Sequence, residues 1–336
     1  DTGHWDRMLP LRQEFIDRWT SLITAPKGSL TTSESVTTAF SSLMGAVPAE
    51  HLRGKRVLIA ADCFPSLHFL LKGLEGPLGF TLDTVPIRQG AHWVEEEDFM
   101  ARWDSEVGLA LLTWITSTTS HRSNLDALVA HGRAQGSVIG VDITQGAGLL
   151  PFDVTQPAVD FVVSTSLKWL CGTPGAGILQ VDPAFLTTCE PTLRGWFSQD
   201  NPFNWDLDTF EFAPDIRRVE HGTPGIVPAI ASLPALRWHG TQNHAALYAH
   251  TLELGETLRQ GFAEMGLTCV SPEFPEARGG SIMVLTEKAE GVLTHLTEAG
   301  FGLDRRSDVL RFSPGIMTTS DQVESVLAHM KTALSA

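Results

Sequence analysis

Short apolar runs and stretches of helical periodicity alternate over the first two thirds of the chain. Runs of strand length fall at 56–61, 80–85, 107–115, 137–141, 160–163 and 177–181. Between them, apolar residues spaced three or four apart predict helices at 66–74 and 124–135. A further helix opens at the acidic run Glu95-Glu96-Glu97-Asp98, whose charges suit the positive end of a helix dipole. Continuously apolar strands between helices predict a mostly parallel sheet covered on both faces, an α/β arrangement. The stretch 5–23 reads as a helix leading toward Thr31-Thr32-Ser33-Glu34-Ser35, which precedes a helix-like stretch ending at Met44.

The pattern changes after a Pro- and Gly-bearing joint at about 201–228. A long helix is predicted at 244–265, then a strand at 281–285, another helix, a strand at 309–312 and a final helix. This predicts a large domain over 1–235 and a small α+β domain over 236–336. No internal repeat or low-complexity segment interrupts either part.

A length of 336 residues, 43% of them apolar and 19% charged, fits such a pair of globular domains. The formal charge of −15 argues against nucleic acid or an anionic membrane as the main partner. No apolar run approaches the roughly 20 residues that span a bilayer. The opening Asp1-Thr2-Gly3-His4 shows no basic or apolar region of a signal peptide, and without an initial Met it suggests missing upstream residues. Cys63, Cys171, Cys189 and Cys269 form no CxxC pair, so reduced thiols and a cytoplasmic location are expected. His244 and His250 have the wrong spacing for one helix face and no HExxH occurs, so no metal site is expected.

Several nucleotide and hydrolase motifs fail on order or context. Residues 172–177 run GxxGxG and precede a strand, whereas a dinucleotide loop follows one and opens a helix. Gly54-Lys55-Arg56 lacks the Ser/Thr and upstream glycine of a P-loop, and there is no GxSxG elbow.

In a doubly wound sheet, ligands sit beyond the carboxyl ends of the strands. The strand 137–141 runs into Asp142-Ile143-Thr144-Gln145. The strand 160–163 runs into Ser164-Thr165-Ser166-Leu167-Lys168-Trp169 and then a glycine-rich turn. Asp142 alone could be a cap and Lys168 alone a surface lysine. Together they are the two groups that pyridoxal phosphate (PLP) chemistry needs. A lysine holds the cofactor as a Schiff base and later shuttles protons, while an aspartate keeps the pyridine nitrogen protonated. The hydroxyl-rich Thr31-Thr32-Ser33-Glu34-Ser35 could serve a helix N-terminus that takes a phosphate, or be a plain cap.

These segments resemble, in order and from about Leu30 to the C-terminus, the class V aminotransferase family of fold-type I PLP enzymes, and within it the kynureninases. Phe64-Pro65-Ser66-Leu67-His68-Phe69 resembles the family's FPSxH(Y/F) segment, Asp142-Ile143-Thr144-Gln145 its Dxx(H/Q), and Ser166-Leu167-Lys168-Trp169 with Gly172 and Gly175 its cofactor-lysine motif. Gly195-Trp196-Phe197 resembles a kynureninase GWF, and Gly222-Thr223-Pro224 the family's GTP. The resemblance implies that Phe64 stacks on the pyridine ring and Gln145 donates to its phenolic oxygen. It puts Ser33, Glu34, Ser35, Thr113 and Ser166 around the cofactor, with Ser35 and Ser166 giving hydroxyls to the phosphate. Trp196 and Thr223 would reach across from a second subunit, giving a homodimer with shared sites. Arg311, in Leu310-Arg311-Phe312-Ser313-Pro314, would pair with the α-carboxylate of an amino-acid substrate.

Three activities stay open on these residues: kynureninase-like hydrolytic cleavage of L-kynurenine or a related amino acid, transamination, and PLP binding without catalysis. Kynureninases usually carry Tyr before the cofactor lysine, where this chain has Leu167, and its single tyrosine is Tyr248. The nucleophilic Cys of the desulfurase branch has no counterpart between Gly300 and Arg311. Nine tryptophans are too many to define a pocket, although Trp114, Trp196 and Phe197 could line an aromatic-accepting one.

Overall fold

The computed structural model describes residues 3–335, so Asp1 and Thr2 of the chain's opening lie outside the described residues. Seven strands build the large sheet: β1 (Leu30–Ser33), β2 (Arg56–Ala60), β3 (Thr81–Val85), β4 (Val107–Thr113), β5 (Val138–Asp142), β6 (Phe161–Thr165) and β7 (Gly177–Val181). Their spatial order is β1-β7-β6-β5-β4-β2-β3. Strands β2 to β6 are parallel, whereas β7 runs antiparallel to both of its neighbours. The reversal follows from chain length. Residues 166–176 form a turn without a helix, too short for a parallel crossover, so β7 returns alongside β6.

Alternate residues of each central strand enter different cores. Val57 and Ile59 of β2, with Leu109 and Leu111 of β4, pack under α2 (Val36–Met44) and α3 (Pro65–Leu78). Leu58, Ala110 and Leu112 join a second core on the opposite face, with Phe15 and Trp19 of α1 (Gly3–Leu22). Both faces are therefore dry, which is why these strands read as continuous apolar runs. The acidic run caps and begins α4 (Glu96–Ala101), and α5 (Leu125–Gln135) lies where its periodicity predicts.

Two large-domain elements differ from expectation. Residues 30–33, read as an approach to a helix, form the edge strand β1. Past α6 (Pro183–Thr188), the irregular joint ends in α7 (Val227–His239), whose Pro228 and Pro234 imitate loop punctuation. Pro228 falls in the first turn, where its missing N–H would have had no helical partner anyway. The boundary expected at residue 235 falls inside this helix, and Ala229, Leu233 and Leu236 bury into the large-domain core.

The C-terminal part packs α8 (His244–Glu264), α9 (Ala289–Glu298) and α10 (Ser320–Ser335) on an antiparallel sheet. Its strands are β8 (Thr268–Cys269), β9 (Ile282–Leu285), β10 (Asp304–Arg306) and β11 (Val309–Phe312), in the order β10-β11-β9-β8. The two parts meet closely just before β9. A Cβ on Gly280 would stand 2.6 Å from Leu149 and 2.7 Å from the Trp169 ring. Only glycine permits this approach, which seats the small sheet against the segment bearing Lys168. Among the described residues no helix is long and apolar enough to cross a membrane.

One buried acid lies off the sheet's carboxyl edge. Asp62 follows β2, is 5% exposed, and accepts the Val94 backbone N–H at 2.9 Å. Burial pushes its pKa up to about 6 from an ordinary 3.8. A raised carboxyl pKa means that the folded chain holds the proton longer than the unfolded one. This group's contribution to stability is thus lost as pH rises from about 4 through 6. Asp62→Asn should be more stable than the parent at pH 8 by up to about 2 kcal/mol, with the gap closing near pH 4. Urea melts across that range would show parallel curves if Asp62 carries no such penalty.

Candidate active site

Strands β5 and β6 are parallel neighbours, with Asp142 opposite Val163, so their carboxyl ends open on one crevice. Asp142 is the last residue of β5, and Lys168 lies three beyond the last residue of β6. With the first turns of α2 and α3 they enclose a cavity of about 340 Å³, within the range of small-molecule sites. Seven of the residues expected at a cofactor line it: Glu34, Ser35, Phe64, Thr113, Asp142, Gln145 and Lys168.

Asp142 is 6% exposed, and its Oδ1 accepts the Thr144 backbone N–H at 2.9 Å. Burial pushes its carboxyl above the usual range, and no ion pair reaches it among the described residues. The Lys168 amine is likewise without a hydrogen bond or ion pair among the described residues. Its pKa is held below the ordinary value, by burial first and then by the Arg311 guanidinium. A depressed pKa leaves more neutral amine at pH 7, the form that attacks a carbonyl.

The remaining walls separate into polar and apolar parts. Ser35 caps α2, its Oγ accepting from the Thr38 N–H at 3.1 Å, and Val36 and Thr37 behind it bring the first turn of α2 to the cavity. First-turn N–H groups have no helical acceptor and favour an anion. Gly177 makes room for this corner, since a Cβ there would come within 3.1 Å of the Ser33 and Ser35 backbones. Val36, Leu67, Ile115 and Leu167 supply apolar surface, and the half-exposed Phe64 ring adds an aromatic face.

The donor set fits PLP. It offers an amine for an aldehyde, a buried carboxylate short of a cation, a helix start for a phosphate and an aromatic ring. Thr113 Oγ1, buried without a hydrogen-bond partner, adds an unused polar group to the same wall.

Five expected residues lie elsewhere. Ser33 and Thr223 line an adjoining cavity of about 490 Å³ that shares Glu34 and Gly175 with the first. Ser166 is wholly buried, and its Oγ accepts the Trp19 indole N–H at 3.1 Å, so it turns away from the cavity. Thr165, one residue earlier, faces the cavity instead. Trp196 sits in an aromatic group with Phe197, Phe203 and Trp205, with ring centroids 4.6–6.4 Å apart. Arg311 stands on β11, paired with Asp304 and near enough to depress Lys168.

Ser66, Ser117 and Thr144 also line the cavity and escaped the sequence reading. Ser66 was inside a quoted motif, and Thr144 was two residues from Asp142. Hydroxyls this common carry little signal until the fold gathers them. The aromatic pocket suggested by Trp114, Trp196 and Phe197 does not form within the chain. Trp114 is core, packed on Phe152, and the other two lie outside the cavity.

A family model described as aminotransferase class-V matches residues 24–325. The chain is 30% identical over 282 residues to the kynureninase of Deinococcus radiodurans, covering 82% of this chain and 67% of that protein. It is 21% identical over 325 residues to an uncharacterized aminotransferase of Bacillus subtilis, covering 96% and 84%. The chain spans about two thirds of the length of the first kynureninases it matches. Among solved structures it is similar to a variant of the cystine C–S lyase C-DES with glycine covalently linked to its PLP cofactor. The TM-score is 0.88 at 18% identity, covering 98% and 87%, a likeness of fold.

Proposed function

This chain belongs to the class-V aminotransferase family of PLP-dependent enzymes, and on that premise we propose that it cleaves the side chain of L-kynurenine or a related α-amino acid by hydrolysis. The observation that carries this is one cavity joining an unpaired Lys168 amine and a buried Asp142 carboxylate to an apolar wall able to receive an aryl side chain. The kynureninase relatives point the same way.

PLP, when bound, supplies an electron sink for a carbanion at the substrate Cα. The chain's own residues do the rest. Lys168 Nζ would hold the cofactor and then move the α-proton. Asp142 would keep a proton on the ring nitrogen. Ser35 and the start of α2 would receive the phosphate, and Arg311 would take the α-carboxylate. In this proposal the enzyme is a cytoplasmic homodimer, with Trp196 and Thr223 completing the site of the neighbouring subunit.

Transamination is the second reading, favoured by a specific observation. Leu167 lines the cavity where kynureninases carry Tyr, and the hydroxyl of Tyr248 donates instead to the Pro275 carbonyl at 3.1 Å. The test is to mix PLP-loaded protein with L-kynurenine and follow anthranilate fluorescence and alanine release. Both products are expected. Keto acid and pyridoxamine phosphate without anthranilate would replace hydrolysis by transamination.

A further inference from the structure

The cation assigned to the substrate carboxylate already holds a carboxylate of its own chain. Arg311 on β11 stands directly across the hairpin from Asp304 on β10. Arg311 Nε donates to Asp304 Oδ1 at 2.8 Å, and Nη2 donates to Oδ2 at 2.6 Å. A guanidinium has two edges that suit carboxylates: one made by Nε with a terminal nitrogen, the other by the two terminal nitrogens. Asp304 occupies the first. No partner reaches Nη1 among the described residues, so the second edge keeps its donors.

The surroundings bear on what this pairing does. The Arg311 side chain is 14% exposed and that of Asp304 40%. Arg306 Nη1 also stands 3.3 Å from Asp304 Oδ2, so two guanidiniums share one carboxylate. Lys168 is near enough to this group for all three side chains to affect its amine. An unpaired arginine on its long stem has many rotamers, and fixing it on a substrate costs about 2 kcal/mol of side-chain entropy. A side-on ion pair made in advance removes most of that cost, because the arginine is already ordered when the substrate arrives.

We infer that Asp304 is a positioning residue, which grips Arg311 by its Nε edge and leaves the Nη1–Nη2 edge to the α-carboxylate of a substrate held at Lys168. This rests on the reading that Arg311 binds that carboxylate. Positioning and plain electrostatics predict opposite signs. Removing a negative charge beside three cations should tighten an anion if charge alone matters. If Asp304 orders Arg311, the same change weakens the anion and leaves a ligand without a carboxylate untouched.

The experiment titrates PLP-loaded protein with L-alanine and with ethylamine, the same amine lacking the carboxylate, and reads Kd from the cofactor absorbance. Asp304→Ala is expected to raise Kd for L-alanine roughly tenfold and to leave that for ethylamine within about twofold. Asp304→Asn, which keeps one acceptor oxygen, should fall between. With a turned-over amino acid, KM should rise while kcat stays within about threefold. Unchanged or tighter L-alanine binding in both Asp304 variants, with Arg311→Ala still losing it, overturns the positioning role alone. Undiminished binding in Arg311→Ala, or no response of the parent to L-alanine, overturns the carboxylate-handle reading and this inference with it.

Discussion

Lys168→Ala is expected to lower kcat by about 10⁴-fold or more on every amino acid the protein accepts. On the proposed function the lysine combines two tasks in one atom. Its Nζ would both hold the cofactor and move the substrate's α-proton. No other lysine lines the cavity. The change should not harm the fold, because the Lys168 amine makes no hydrogen bond or ion pair among the described residues, and alanine keeps the carbonyl that accepts the Cys171 N–H. Linkage gives the same answer. Burial and Arg311 lower the amine pKa, so the folded chain binds this proton less readily than the unfolded one, whose ordinary value is 10.5. Below the folded value the charged amine therefore weakens the fold, and alanine removes that penalty. The variant should match or exceed the parent in thermal stability at pH 7 while being almost inactive. Added methylamine should restore a part of the lost rate if the missing element is an amine. Turnover within tenfold of the parent, measured on the same PLP-loaded preparation, would show that Lys168 is not the catalytic lysine.

The central strands were legible because both of their faces are buried, and burial writes itself into local sequence as uninterrupted apolar runs. The adjacency of Asp142 and Lys168 followed from the same pattern, since successive strands of a parallel sheet commonly lie side by side. What stayed hidden depends on distant partners. Strand β1 has four residues, of which Thr31, Thr32 and Ser33 carry hydroxyls, and only the return of β7 makes it a strand. Helix α7 is disguised by two prolines, and its apolar face is recognisable only against α1. Thr165 and Ser166 are equally plausible hydroxyls on paper. Thr165, the last residue of β6, lines the cavity, while Ser166, the first of the turn, meets the Trp19 indole, 147 positions away in sequence. The pairing of Arg311 with Asp304 depended on the register of a hairpin whose turn, Ser307-Asp308, lacks a strong signature.

The Asp142 carboxylate separates activity from stability most sharply, because the two should move in opposite directions when it is changed. Asp142→Asn keeps the shape and an oxygen for the Thr144 N–H but cannot hold a proton on a ring nitrogen by charge. Without that charge the ring is a poorer electron sink, and kcat should fall about 10³-fold. Lys168 and the start of α2 remain, so PLP should still bind. Stability of the cofactor-free chain should rise. Burial holds the folded carboxyl above its unfolded value of 3.8, so the ionised form weakens the fold at neutral pH, and that penalty disappears as pH falls toward 3.8. Melts at pH 8 and pH 4.5 should therefore show the variant ahead at both, by much less at the second. PLP should narrow the gap at pH 8, since a protonated ring nitrogen gives the parent's carboxylate the cation it lacks in the free chain. On the proposed function, the resting fold carries this cost because the charge is needed in the reaction. A variant with kcat within a few-fold of the parent would assign the ring nitrogen to another partner. A variant destabilised at pH 8 would mean that the carboxylate is already satisfied in the free chain.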